Sequence, residues 1–222
     1  MTSSLAGRTI LLAGGTSAAG AVVARAALGR DARVVVAGRD PAKLSALAAD
    51  LPGVRTAACD LTDEAAVRAL ADELHGELRV DGILHLVGGW RGGGGLAGQS
   101  DEDFRFLERS LTALRHVTRA FDQDLRDSDA GRLAIVSSTA VDRPLAGGAN
   151  YAAVKAASEA WARAVAQGFA KAARDAEQPL AAASVVFRVK ALDGLEQTLA
   201  DAFLGLWDAD AADVNDTVVT LG

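Results

Sequence analysis

"TILLAGGTSAAGAVVARAALG" (residues 9–29) decides the fold. Thr9–Gly14 is a short apolar run ending in glycine, the pattern of a buried strand. Helix formers follow from Ser17, and Gly29 stops them. Gly14 and Gly15 end the strand, and Gly20 lies inside the first helical turn. Small residues at such a turn let the backbone approach a pyrophosphate, whose charge faces the helix N-terminus. Ala18 stands where the middle glycine of the usual three-glycine spacing is expected. Taken alone, the stretch reads equally well as a tight strand-to-helix turn.

Outward from this unit the alternation repeats. "ARVVVAG" (32–38) is β-branched and apolar. "DPAKLSALAADL" (40–51) opens with Asp40 as N-cap and Pro41 at the first helical position. "RTAACD" (55–60) predicts a third strand, and Thr62 is placed to cap the next helix, which runs to about His75. "VDGILHLVGG" (80–89) predicts a fourth strand, and "GGWRGGGGLAGQ" (88–99) a mobile glycine-rich loop. One long helix is expected over 101–127. "GRLAIVSS" (131–138) is a fifth strand, and residues 149–176 form a long amphipathic helix. "LAAASVVFRV" (180–189), "DGLEQTLADAFLGLW" (193–207) and "DTVVTL" (216–221) complete the pattern as strand, helix and strand. Near-continuous apolar strands alternating with helices indicate a parallel sheet covered on both faces. Right-handed crossovers make it a doubly wound α/β sheet, a Rossmann fold, in a single domain over residues 1–222.

The 222 residues suit one domain with a substantial core. A net charge of -6 argues against nucleic acid as the main partner. Cys59 is the one cysteine, so no intrachain disulfide can form, and a reducing compartment fits. "MTSSLAGRT" (1–9) shows no leader pattern, and no apolar run approaches membrane-spanning length. A cytoplasmic protein is expected. His75, His85 and His116 show no metal-ligand spacing with each other or with Cys59.

In such a sheet ligands bind beyond the carboxyl ends of the strands. The second strand ends in "AGRD", with no acid at Ala37 or Gly38. Arg39 can pair with a 2'-phosphate on an adenosine ribose, or be a solvated surface arginine. Asp60 can accept from an adenine amino group, cap the following helix, or do both. "YAAVK" (151–155) holds the one tyrosine of the chain. Tyr151 and Lys155 lie four apart on one helix face. A neighbouring ammonium stabilises a phenolate, so the pair can move a proton to or from a substrate oxygen. Ser138, thirteen residues before Tyr151, can hydrogen-bond the same oxygen. The alternatives are a surface helix pair and a strand-end turn residue.

Ser137–Ser138, with "YAAVK" beginning thirteen residues after Ser138, resemble the serine and YxxxK signature of the short-chain dehydrogenase/reductase family. "AGGTSAAG" is similar to its glycine-rich turn, "CDLTD" to its adenine-contacting segment and "DGILHLVGG" to the segment that usually ends in NNAG. The resemblance spans nearly the whole chain. It implies hydride transfer between a nicotinamide and a small or medium carbonyl or alcohol. Tyr151 would be the acid in reduction and the base in oxidation. Lys155 would assist it and hold the nicotinamide ribose, and Ser138 would orient the carbonyl. Gly14, Thr16, Ser17, Ala18, Ala19, Gly20, Arg39, Asp60, Leu61, Val87, Gly88, Tyr151 and Lys155 would hold NADP, with NAD as the alternative. A homodimer or homotetramer paired through the two long helices is also implied.

Several residues depart from the pattern. His85-Leu86-Val87-Gly88 replaces NNAG, and His85 reads either as a cofactor neighbour or as a satisfied strand histidine. Ser110 stands where the family carries an asparagine whose backbone holds a water of the proton relay. Serine there can bond back to a helix carbonyl. The Pro-Gly pair after the sixth strand is absent and the covering segment shortened, which puts Val189 and Lys190 beside the nicotinamide. Trp90 and Arg91 can contact substrate or belong to a surface loop. Trp161, Val165 and Phe169 form a stripe that suits either a core or a subunit interface. These departures motivate a second reading, a non-catalytic nucleotide-sensing or scaffold member of the same fold.

Overall fold

A computed structural model describes residues 4–222, so residues 1–3, part of the stretch read for a leader, lie outside it. Seven strands form one parallel sheet in the order β3-β2-β1-β4-β5-β6-β7. They are β1 (Thr9–Ala13), β2 (Arg33–Gly38), β3 (Val54–Ala58), β4 (Gly82–His85), β5 (Arg132–Ser138), β6 (Ala183–Val189) and β7 (Thr217–Thr220). The chain moves outward from β1 to β3, then returns to the far side of β1 as β4. That reversal opens a crevice beyond the carboxyl ends of β1 and β4.

Alternate residues of each strand face opposite layers. Ile10 and Leu12 join the core under α1 (Ala18–Leu28), α2 (Pro41–Asp50) and α7 (Glu196–Leu204). Leu11 and Ala13 join the core under α3 (Glu64–His75), α4 (Asp101–Ala120) and α6 (Ala149–Asp175). Both faces are covered, which is why the middle residues of β1, β2, β4, β5 and β6 are apolar. β3 differs: it is an edge strand, only half-buried, and its sequence VRTAA is correspondingly mixed.

Caps fix where the helices begin. Asp40 caps α2 by accepting from Ala42 N and Lys43 N, with Pro41 as the first helical residue. Asp63, not Thr62, caps α3, accepting from Ala65 N and Ala66 N. Thr62 is instead held in a turn by Asp60. The long helix expected over 101–127 is broken. Phe121 leaves helical geometry at the end of α4, its ring buried against His75, and α5 (Asp122–Asp127) restarts there. The break lets the Asp124 carboxylate accept from Val80 N, just before β4. Gly29 follows α1, but the left-handed residue that turns the chain is Asp31, at φ 66°. α7 starts three residues later than its sequence pattern suggests, and only residues 190–195 connect it to β6. A short helix α8 (Ala211–Val214), unread in the sequence, precedes β7. Among the described residues, no helix is long and apolar enough to cross a membrane.

Candidate active site

The turn between β1 and α1 tolerates no side chain at two of its glycines. Gly14 has φ +80°, and a Cβ there would meet Val87 N at 2.9 Å. A Cβ on Gly20 would lie 2.0 Å from Gly15 O. The start of α1 therefore folds directly onto the strand exit. Ser17 caps the helix, its Oγ accepting from Gly20 N at 3.2 Å. Ala19 is buried, whereas Ala18 is exposed at the first helical position. The methyl at Ala18 lies outside the Gly15–Gly20 contact.

A cavity of about 380 Å³ opens at this turn. Gly14, Thr16 and Ser17 form its floor. Leu61 and Asp60 line it after β3, Val87 and Gly88 after β4, and Arg109 and Ser110 from α4. Arg39 follows β2 on the same rim, and Lys43 stands one turn into α2. Asp60 accepts from Thr62 N at 2.9 Å and Thr62 Oγ1 at 2.7 Å, and it pairs with Arg109 at 3.3 Å. The Thr62 hydrogen bonds, helped by Arg109, hold the Asp60 carboxyl below its ordinary value. The helix-capping role open to Asp60 is thus filled by Asp63. The glycine turn, the free N-terminus of α1 and the flanking cations fit the pyrophosphate of a dinucleotide.

Two strand spacings from β1, roughly 10 Å along the sheet, lies a second group at the end of β5. Ser138 is the last residue of β5 and is buried; its Oγ accepts from Ala140 N at 3.1 Å. Tyr151 is the third residue of α6 and is half-buried. Lys155 Nζ lies 5.8 Å from the Tyr151 ring centroid and donates to Val136 O at 2.8 Å. The chain leaving β4 closes on it, since a Cβ on Gly88 would be 3.7 Å from Nζ. Burial lowers the Lys155 ammonium from 10.5 to about 8, against an opposing pull from Glu159. Ser110 bonds back within its helix, Oγ donating to Leu107 O at 2.8 Å. Its carbonyl accepts from His85 Nε2 at 3.0 Å. Lys155 thus lies between the Tyr151 ring and the strand that ends at Ser138, Ser110 is bonded to His85, and Arg39 and Asp60 line the cavity on the other side of β1.

The glycine-rich loop, expected to be mobile, is tied down by one side chain. Gln99 Nε2 donates to Gly93 O and Gly147 O, both at 3.0 Å, while its Oε1 accepts from Asn150 N at 3.1 Å. The loop is thereby fastened beside Tyr151. Trp90 is 61% exposed at its edge, and the Arg91 guanidinium packs 4.1 Å over the Phe106 ring. Val189 is buried and Lys190 exposed. Phe169 of the helical stripe is core, and the half-buried Trp161 donates to Thr118 Oγ1 on α4. Among the described residues, no group of three or more His, Cys, Asp or Glu side chains is placed to hold a metal.

Sequence reasoning missed Lys43, Arg109 and a network behind the site. Arg188 of β6 makes two bonds to Glu159, Nε–Oε1 at 2.8 Å and Nη2–Oε2 at 2.6 Å, and one to Asp142 at 2.6 Å. Ser137 Oγ donates to the same Glu159 at 2.5 Å. Glu159 lies one turn beyond Lys155, a spacing visible in the sequence; its partner on β6 was not.

Residues 8–173 match the family model of the short chain dehydrogenases. The search of curated proteins found no match. Among solved structures, the chain is similar to a Pseudomonas syringae protein provisionally called a short chain dehydrogenase. That pair shares 24% identity and a TM-score of 0.85, covering 99% of this chain and 97% of the other. A gluconate 5-dehydrogenase from Burkholderia cenocepacia, in complex with NADP and tartrate, shares 20% identity and a TM-score of 0.83, covering 98% and 94%. An NADPH-bound short chain oxidoreductase from Pseudomonas aeruginosa, with an atypical catalytic center, shares 19% identity and a TM-score of 0.82, covering 99% and 96%. With the family model spanning most of its length, this chain belongs to the short chain dehydrogenase family.

Proposed function

We propose that the protein is an NADP(H)-dependent oxidoreductase acting on a small or medium carbonyl or alcohol. The observation that carries this reading is the Lys155 ammonium. It is fixed to Val136 O on the strand that ends at Ser138, and it faces the ring of Tyr151. When bound, the nicotinamide supplies the hydride. Tyr151 Oη gives its proton to the carbonyl oxygen in reduction and receives one in oxidation. Ser138 Oγ donates a hydrogen bond to the same oxygen, and Lys155 holds the ribose. Preference for NADP rests on Arg39, with Lys43 beside it, where β2 ends with no acid at Ala37 or Gly38. The buried, free Cys59 suits a reducing compartment, and we place the protein in the cytoplasm. We also assign it as a homodimer or homotetramer paired through α4 and α6.

Calorimetric titration with NADPH and with NADH is the test, followed by a carbonyl screen with the preferred nucleotide. Tight NADPH binding and weak NADH binding are expected. Arg39→Leu should weaken NADPH roughly 10- to 100-fold, the worth of a hydrogen bond to a charged group at about 1.5–3 kcal/mol. Tyr151→Phe should lose roughly 100-fold or more in turnover while binding NADPH as before. A preference for NADH would overturn the role of Arg39. The short connection over residues 190–195 favours a second reading, nucleotide sensing without catalysis. Oxidation of NADPH by any carbonyl compound would end that reading.

A further inference from the structure

His85 lies against two groups of the candidate active site. It is the last residue of β4 and is 5% exposed. Its neighbour Leu84 belongs to the core under α1 and α7. His85 therefore faces the opposite layer, where its Nε2 meets Ser110 O on α4. A carbonyl only accepts, so Nε2 carries the proton and Nδ1 is a bare lone pair. Nδ1 is buried and has no hydrogen-bond partner among the described residues. Leaving a buried acceptor unmet is costly, because the group loses its water without gaining a partner.

Lys155 enters the same layer from α6. Its Nζ bonds Val136 O, and Val136 follows Ile135, the residue of β5 in register with His85. Gly88, three residues beyond His85, closes on the same Nζ. An ammonium has three protons to donate. Among the described residues Lys155 uses one, on Val136 O. A donor with protons to spare and an acceptor with none to accept thus share one buried layer. The Lys155 charge is felt at the imidazole: after burial, it is the next cause holding His85 neutral, with a pKa pushed down to about 3.

We propose that His85 Nδ1 accepts a hydrogen bond from the Lys155 ammonium through one bound water, which makes His85, anchored on Ser110 O, a positioning residue for Lys155. Buried waters characteristically join polar groups left unmet in this way. Tyr151 and Glu159 of α6 face Lys155, and Ser110 of α4 faces His85. The catalytic consequence rests on the reading of Lys155 given above; the hydrogen bond does not, because it belongs to the nucleotide-free protein.

Nitrogen NMR of protein labelled in its histidine rings tests this without nucleotide or substrate. His85→Asn assigns the signals by removing one pair of three. The expected His85 ring has a protonated Nε2 and an unprotonated Nδ1 from pH 5 to 9. Its Nδ1 resonance should be displaced from the free lone-pair position by an accepted hydrogen bond. In Lys155→Met it should return to that position, with His75 and His116 unchanged. In the wild type it should also move as the pH passes about 8, where Lys155 loses its charge. This second readout stands if the variant does not fold. A protonated Nδ1, a free lone-pair shift in the wild type, or a signal indifferent to Lys155 would overturn the proposal. Absence of NADPH binding would sink the enzymatic reading and leave these signals in place.

Discussion

At the scale of the residue, Lys155 carries a conflict between its charge and its surroundings. Burial lowers its pKa from 10.5 to about 8, so the folded protein loses the ammonium as the pH rises through about 8. If the ammonium serves the reaction, turnover should fall on an alkaline limb near that pH, measured as kcat against pH. Stability should respond in the opposite direction. The unfolded chain keeps this proton to about 10.5. It therefore binds more protons than the folded one between about 8 and 10.5, and the Lys155 contribution to stability rises with pH across that window. Urea midpoints at pH 7.5 and 9.5 would check the sign. Tyr151 and Lys155 were legible as a pair from their spacing alone. The acceptor Val136 O was not, because a backbone carbonyl carries no signature in the sequence.

At the scale of the element, the β1–α1 turn is the tightest feature near the cavity. Gly20 is packed against backbone, so Gly20→Ala cannot be relieved by a rotamer change. Overpacking of this kind costs about 3 kcal/mol, and each kcal/mol lowers Tm by roughly 2–4 °C in a domain of this size. A calorimetric scan should show that loss, with weakened nucleotide binding beside it. A melting temperature within a degree of wild type would mean that the turn is looser than its geometry implies. The element boundaries read from sequence went wrong where two signals competed. Thr62 and Asp63 are both capping types, and Asp60 occupied Thr62 first. The apolar period runs on past Phe121, but the need of Val80 N for the Asp124 carboxylate breaks the helix there.

At the scale of the molecule, Arg188 and Glu159 tie β6, α6 and the turn after Ser138 into one unit. Both side chains are largely buried, at 16% and 8% exposure. Arg188→Met would leave the Glu159 carboxylate buried without its partner, at a cost of about 3–5 kcal/mol. Arg188→Met with Glu159→Leu should cost less than either change alone, a coupling that a double-mutant cycle in urea measures. Additive costs would show that the two side chains act separately. Sedimentation of the purified protein addresses assembly; a monomeric mass in dilute solution would refute pairing through α4 and α6.

The sequence by itself determined the seven-strand parallel order of elements, the glycine turn, the Ser138–Tyr151–Lys155 spacing and the cation after β2. All of these are written in local periodicity or in short separations along the chain. Only the tertiary structure decided which residues meet across elements. It placed Lys43 and Arg109 on the cavity wall, fastened the glycine-rich loop through Gln99, paired Glu159 with Arg188, and set His85 against Ser110. Such contacts join residues far apart in the chain, and they form only when the sheet stacks its strands at fixed spacing and helices close over both faces.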